Sequence, residues 1–85
     1  MKRYVFPAIF TKEDKGISIE FPDLPSCLPC ARDYDQAFRN AREALNLHLS
    51  CMIEDGEAVP KPSDLKTIAA KLGECEALTL IETQI

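Results

Sequence analysis

The sequence predicts a small α+β fold: a four-stranded sheet with one long helix packed on one face. Three observations carry this. Alternating apolar segments stand near both ends of the 85-residue chain, at 4–10, 17–21 and 77–85. One long stretch, 34–54, repeats its apolar residues at helical spacing. Between strands and helix, Pro22 and Pro25 fix φ at two sites, remove two backbone donors and hold Phe21 and Leu24 extended.

Tyr4 to Phe10 is the first strand, with Tyr4, Phe6, Ala8 and Phe10 on one face and Val5 and Ile9 on the other. Apolar residues on both faces predict a central, well-covered strand. Pro7 conflicts with that, because a central strand uses its N–H; a bulge or a locally unpaired position resolves the conflict. Thr11 to Gly16 is a polar turn, and Ile17 to Phe21 alternates as a half-buried antiparallel strand. The two form a hairpin. Leu28 to Arg32 suits a short third strand, confined to an edge or a bulge by Pro29.

The long helix runs from about Tyr34 to Glu54. Asp33 is its N-cap, and Gln36 completes a capping box. Tyr34, Ala37, Phe38, Ala41, Ala44, Leu45, His48, Leu49, Cys51 and Met52 share one face, and Gly56 stops the helix in a left-handed conformation. Glu57 to Pro62 is a linker. Ser63 is placed to cap a short helix from Asp64 to about Leu72, and Ala77 to Ile85 is the last strand. The order is β-β-β-α-(short α)-β. A strand reached through a helix usually returns parallel to an earlier one. The last strand is therefore expected beside, and parallel to, the first, in a sheet of order 3-2-1-4.

The net charge of −4 argues against general nucleic-acid binding, which needs clustered Lys and Arg. No apolar run approaches a membrane span. The start, Met1-Lys2-Arg3, lacks the cleavage site of a signal peptide. A cytoplasmic protein is expected, with Cys27, Cys30, Cys51 and Cys75 as free thiols. Cys27-Leu28-Pro29-Cys30 has the spacing of a redox pair or half a zinc site, but neither a helix start directly after it nor a second close ligand pair completes it. His48, the one histidine, sits mid-face on the helix and reads as a packed residue, not a general base. A two-metal nuclease would need an acid on the central strand, and 1–10 holds none; Glu20 stands without a partner. No glycine-rich phosphate loop exists. The expectation is a non-enzyme without metal or cofactor, acting through its surface.

Pro7-Ala8-Ile9-Phe10, then Gly16, then Phe21-Pro22-Asp23-Leu24-Pro25-x-Cys27 resemble the HicB-type antitoxin domain. The match continues through Ala37, Ala41-Arg42-Glu43-Ala44-Leu45, Glu54-Asp55-Gly56-Glu57, Pro60, Pro62 and Ser63. The resemblance implies a truncated RNase H-like fold. It also implies an antitoxin of a HicA/HicB-type system that neutralises a HicA-like, mRNA-cleaving toxin by covering its catalytic histidine or RNA surface. Ser26 departs from the family's usual glycine, and Cys30 and Cys51 lie outside its pattern. Many members add a C-terminal DNA-binding module. This sequence ends at Ile85, so a single HicB-like domain over 1–85 with no direct nucleic-acid binding is expected.

Exposure and charge select Glu20, Asp23, Leu24, Asp33 and Asp35 as the expected toxin-contact residues. The alternatives are a stand-alone HicB-like interaction or scaffold module and, behind it, a residual metal-dependent nuclease. Short sheets offer edges, so a homodimer or higher homo-oligomer is expected.

Overall fold

A two-residue turn, Asp14-Lys15, closes the first hairpin in the computed structural model, which describes residues 1–85. No residue of that turn has a positive φ. The elements are β1 (Arg3–Glu13), β2 (Gly16–Glu20), β3 (Cys30–Ala31), α1 (Tyr34–Glu54), α2 (Leu65–Ala69) and β4 (Glu76–Gln84). They form an α+β fold with one sheet, ordered β3-β2-β1-β4. The hairpin strands run further toward the turn than the alternation of apolar residues suggested, because Thr11 to Glu13 pair with Gly16 to Ser18 despite their polarity. At Gly16 there is no room for a side chain unless β3 moves: a Cβ there would lie 2.5 Å from the Ala31 carbonyl oxygen, where β2 and β3 approach.

The last strand corrects one expectation. β4 pairs with β1 antiparallel, not parallel, with Glu76 opposite Thr11 and Gln84 opposite Arg3. The segment from Glu57 to Cys75 carries the chain back along the length of β1 before β4 begins. A single-helix crossover would have started the strand at the other end. α2 is also shorter than expected, and its N-cap is Asp64, not Ser63.

Pro7 sits in β1 without a bulge. Lys2 and Ile85 exchange both backbone bonds, and the Lys12 N–H donates to the Cys75 carbonyl. Even-numbered β1 residues therefore turn their peptide groups toward β4, and odd-numbered ones toward β2. Pro7 is odd, and pairing with β2 begins only at Ile9. The missing donor falls where there is no ladder.

The core lies between the sheet and α1. Phe6, Ala8, Phe10, Ile17, Ile19 and Ile81 meet Ala37, Ala41, Leu45 and Leu49 of the helix. These four helix residues are spaced by four, so one ridge of α1, with two alanines, lets the helix lie close to the strands. The ridge is narrower than the apolar face in the sequence. Tyr34 and Phe38 are half exposed beside Phe10, with the Phe38 ring edge-on at 5.0 Å, and Cys51 is exposed. The other sheet face is only partly covered, contrary to the expectation for β1. Pro7 is enclosed and Ile68 is buried outside the main cluster, but Val5 and Ile9 are half-buried and Leu80 is 51% exposed.

Both helix ends follow the sequence. The Gln36 N–H donates to Asp33 Oδ1 at 2.8 Å, and Gln36 Oε1 accepts from the Arg32 N–H at 2.8 Å. At the other end Gly56 has φ +74°, the Gly56 N–H donates to Ile53 and the Glu57 N–H to Met52. That pair of bonds is a Schellman motif, which requires the left-handed residue.

Candidate functional site

The proline elbow, 21–27, is built on a period of three. The Leu24 N–H donates to the Phe21 carbonyl and the Cys27 N–H to the Leu24 carbonyl, each at 2.9 Å. Two successive turns thus place Phe21, Leu24 and Cys27 on one inner side, with exposures of 0%, 2% and 5%. The elbow is pinned from inside by three apolar side chains as well as stiffened by its prolines. Leu24 therefore packs into the core and is not exposed as expected, although it still lines the groove beside the elbow. Burial pushes the Cys27 thiol above its ordinary pKa, because the thiolate would lose solvation. Cys30 is exposed, so the two members of the C-x-x-C occupy opposite environments. No three histidine, cysteine or carboxylate side chains converge as a metal-holding group.

Asp23 points outward and ties the elbow to the linker. Its Oδ2 accepts from the Ser63 N–H at 2.9 Å, and its Oδ1 accepts from the Ser63 hydroxyl. The linker is thereby held against the elbow, and a groove opens between them and the end of α1. Asp23, Pro25 and Ser26 form one wall; His48, Cys51 and Asp55 of α1 form the second; Glu57 and Pro60 close it. The groove carries three carboxylates and no Lys or Arg, so its field favours a cationic group. The half-buried His48 opens onto this groove instead of the core interior.

The remaining selected residues separate into two groups. Glu20 is exposed at the end of β2, close in sequence to Asp23 and the groove. Asp33 and Asp35 lie at the start of α1, near the Gly16 end of β2, where Asp33 caps the helix and Asp35 faces solvent in its first turn. A strand the length of β2 separates the ends by about 13 Å. The five positions do not form one patch.

Asp55, Glu57 and Ser63 were missing from the sequence selection. The first two were within reach of it, since Gly56 marks the helix end and the acids beside it must be exposed. Ser63 was not, because its bond to Asp23 spans 40 residues.

Known proteins resemble this chain in sequence and in fold. A family model described as HicB_like antitoxin of bacterial toxin-antitoxin system matches residues 6–82. An uncharacterized 14.9 kDa protein in the rep-hol intergenic region of Haemophilus phage HP1 (strain HP1c1) is 31% identical over 62 residues, 73% of this chain and 47% of that protein. The chain thus spans about half the length of that curated relative. The N-terminal domain of the Burkholderia pseudomallei antitoxin HicB superposes with a TM-score of 0.83 at 28% identity, over 96% of this chain and 100% of that one. A chain of a HicA3 and HicB3 toxin–antitoxin complex superposes with a TM-score of 0.69 at 21% identity, over 92% of this chain and 95% of that one.

Proposed function

The chain belongs to the HicB-like antitoxins of bacterial toxin–antitoxin systems, and from that premise we propose that it neutralises a HicA-like, mRNA-cleaving toxin by binding it directly. The acidic groove at the elbow carries this reading. A toxin that grips RNA presents Lys and Arg to phosphates. A preorganised acidic cleft offers those same side chains an alternative partner. Charge of opposite sign speeds encounter and fixes register, while enclosed contacts set the lifetime of the complex.

In this reading Asp23, Asp55 and Glu57 receive cationic side chains in the groove. Glu20 extends the acidic surface along β2, and Asp33 and Asp35 add long-range attraction at its far end. Leu24 acts from within, by holding Asp23 and Pro25 in place. The elbow is fixed before binding, so little conformational entropy is lost on association. A HicB3 relative of the same fold is found in complex with HicA3, which supports the partner class.

The test is co-expression with a HicA-like toxin. Growth is expected to be restored and the two proteins to co-purify. Growth arrest persisting beside abundant, folded antitoxin, with no complex recovered, would overturn the reading.

A further inference from the structure

We propose that an extended acidic peptide segment of another protein adds to the free half-edge of β1, in the slot between residues 3–7 and the linker. β2 pairs with β1 only from Ile9 onward. Nearer the start of β1, the even-numbered residues are bonded to β4, so Arg3, Val5 and Pro7 turn their peptide groups to the unpaired side. Arg3 and Val5 each offer an N–H and a C=O there, and Pro7 offers a C=O. No turn, loop or side-chain bond within the chain uses these groups. The linker comes alongside without closing the ladder. Pro60 and Pro62 have no N–H to give, and no backbone bond joins residues 57–62 to β1.

A slot of about 480 Å³ remains, lined by residues 2–6 on one side and 59–62 on the other. That lies within the roughly 300–1,000 Å³ of ligand-binding clefts. Free groups on alternate residues are what an added strand bonds, while the surrounding side chains select its sequence. Charge makes the selection here. Lys2, Arg3 and Lys61 line the slot and no carboxylate does, in a chain whose net charge is −4. Arg3 uses its Nε on Glu82 Oε1 at 2.7 Å, which leaves its two outer nitrogens free. Lys2 Nζ lies 5.3 Å from the centre of the Tyr4 ring. Half-buried Val5, Val59 and Pro60 supply apolar walls. A phosphate chain would use the cations but not the paired N–H and C=O groups; an extended peptide bearing Asp or Glu beside apolar residues uses both. The acidic elbow groove shares only Pro60 with this slot, so the inference does not rest on the toxin reading.

The probe is a capped pentapeptide of alternating glutamate and valine, titrated into the whole chain and followed by amide chemical shifts. Saturable shifts are expected at Arg3 and Val5. The same peptide with lysine in place of glutamate should bind about tenfold more weakly or worse. Val5→Pro removes an N–H that β4 does not use, as Pro7 already does two residues on. Lys2→Glu/Lys61→Glu reverses two charges of the slot. Each variant is expected to lower the affinity about tenfold or more, with an unchanged circular dichroism spectrum. If Val5→Pro does not fold, the charge variant decides. No shift at Arg3 and Val5 with millimolar peptide, equal binding of the lysine peptide, or wild-type affinity in a folded variant overturns the proposal. So do shifts confined to Leu78 and Leu80 on the outer edge of β4, or shifts from a short oligouridine and not from the peptide. Arg3 and Val5 amides already protected from exchange in the free chain would mean that a second copy fills the slot, and would overturn it as well.

Discussion

Asp23 and Ser63, 40 residues apart, are joined through both carboxylate oxygens of the first and both the N–H and hydroxyl of the second. This contact fastens the elbow to the linker and shapes the groove between them. Charge assistance makes such bonds stronger than neutral ones. Asp23→Ala and Ser63→Ala are each expected to cost about 1–2 kcal/mol in urea unfolding. The double variant should cost clearly less than the sum. Strictly additive losses would show that the two residues act separately.

Leu24→Ala tests whether the elbow is held from inside. Truncating a leucine in a close-packed core costs about 2–5 kcal/mol. Ser26→Gly, at an exposed position of the same elbow, should change stability by less than about 1 kcal/mol. Equal, small effects at both positions would mean that the prolines alone keep the elbow in shape.

Two glycines should fail in different ways. At Gly56 nothing lies within 4 Å of an added Cβ, but φ is +74°, so Gly56→Ala is expected to cost about 1–2 kcal/mol through backbone strain alone. At Gly16 the added Cβ would meet a backbone oxygen at 2.5 Å, so Gly16→Ala must push β3 away. Amide chemical shifts should move at Cys30 and Ala31 in the second variant and stay in place in the first.

The cysteines should divide by burial. Cys30, Cys51 and Cys75 are exposed, and Cys27 is buried. A thiol reagent is expected to label the first three in the folded protein and Cys27 only on unfolding. The raised Cys27 pKa comes from lost solvation of the thiolate. Folding therefore favours the protonated thiol, and its contribution is fully present below the unfolded-state value of about 8.5. It is lost as pH rises from there toward the folded-state value. Cys27→Ser should flatten this alkaline loss of stability. An unchanged slope would place its origin elsewhere.

Much of the fold was legible because local rules and burial agree. Asp33, Gln36 and Gly56 mark the ends of α1, and the alternation around Ile17 and Ile19 marks β2. The direction of β4 was not legible, since it depends on how far Glu57 to Cys75 carries the chain before Glu76 pairs. Pro60, Pro62 and Gly73 interrupt that segment, a sign that it was not a simple crossover. In the elbow, the spacing of Phe21, Leu24 and Cys27 carried the signal that Leu24 is buried, and the flanking prolines hid it by suggesting an exposed turn. The groove was the least legible part, because it forms where the distant Asp23, Asp55 and Glu57 are brought together.

The proposed function places a HicA-like toxin in the acidic elbow groove. Calorimetric titration of that toxin into this chain tests it most directly, with the variant Asp55→Lys/Glu57→Lys alongside and Asp35→Lys as the comparison. Saturable binding that weakens as salt rises is expected, about tenfold or more weaker in the groove variant and only a few-fold weaker in Asp35→Lys, which loses long-range attraction alone. Wild-type affinity in a folded groove variant, or no binding of the folded toxin at all, would contradict it.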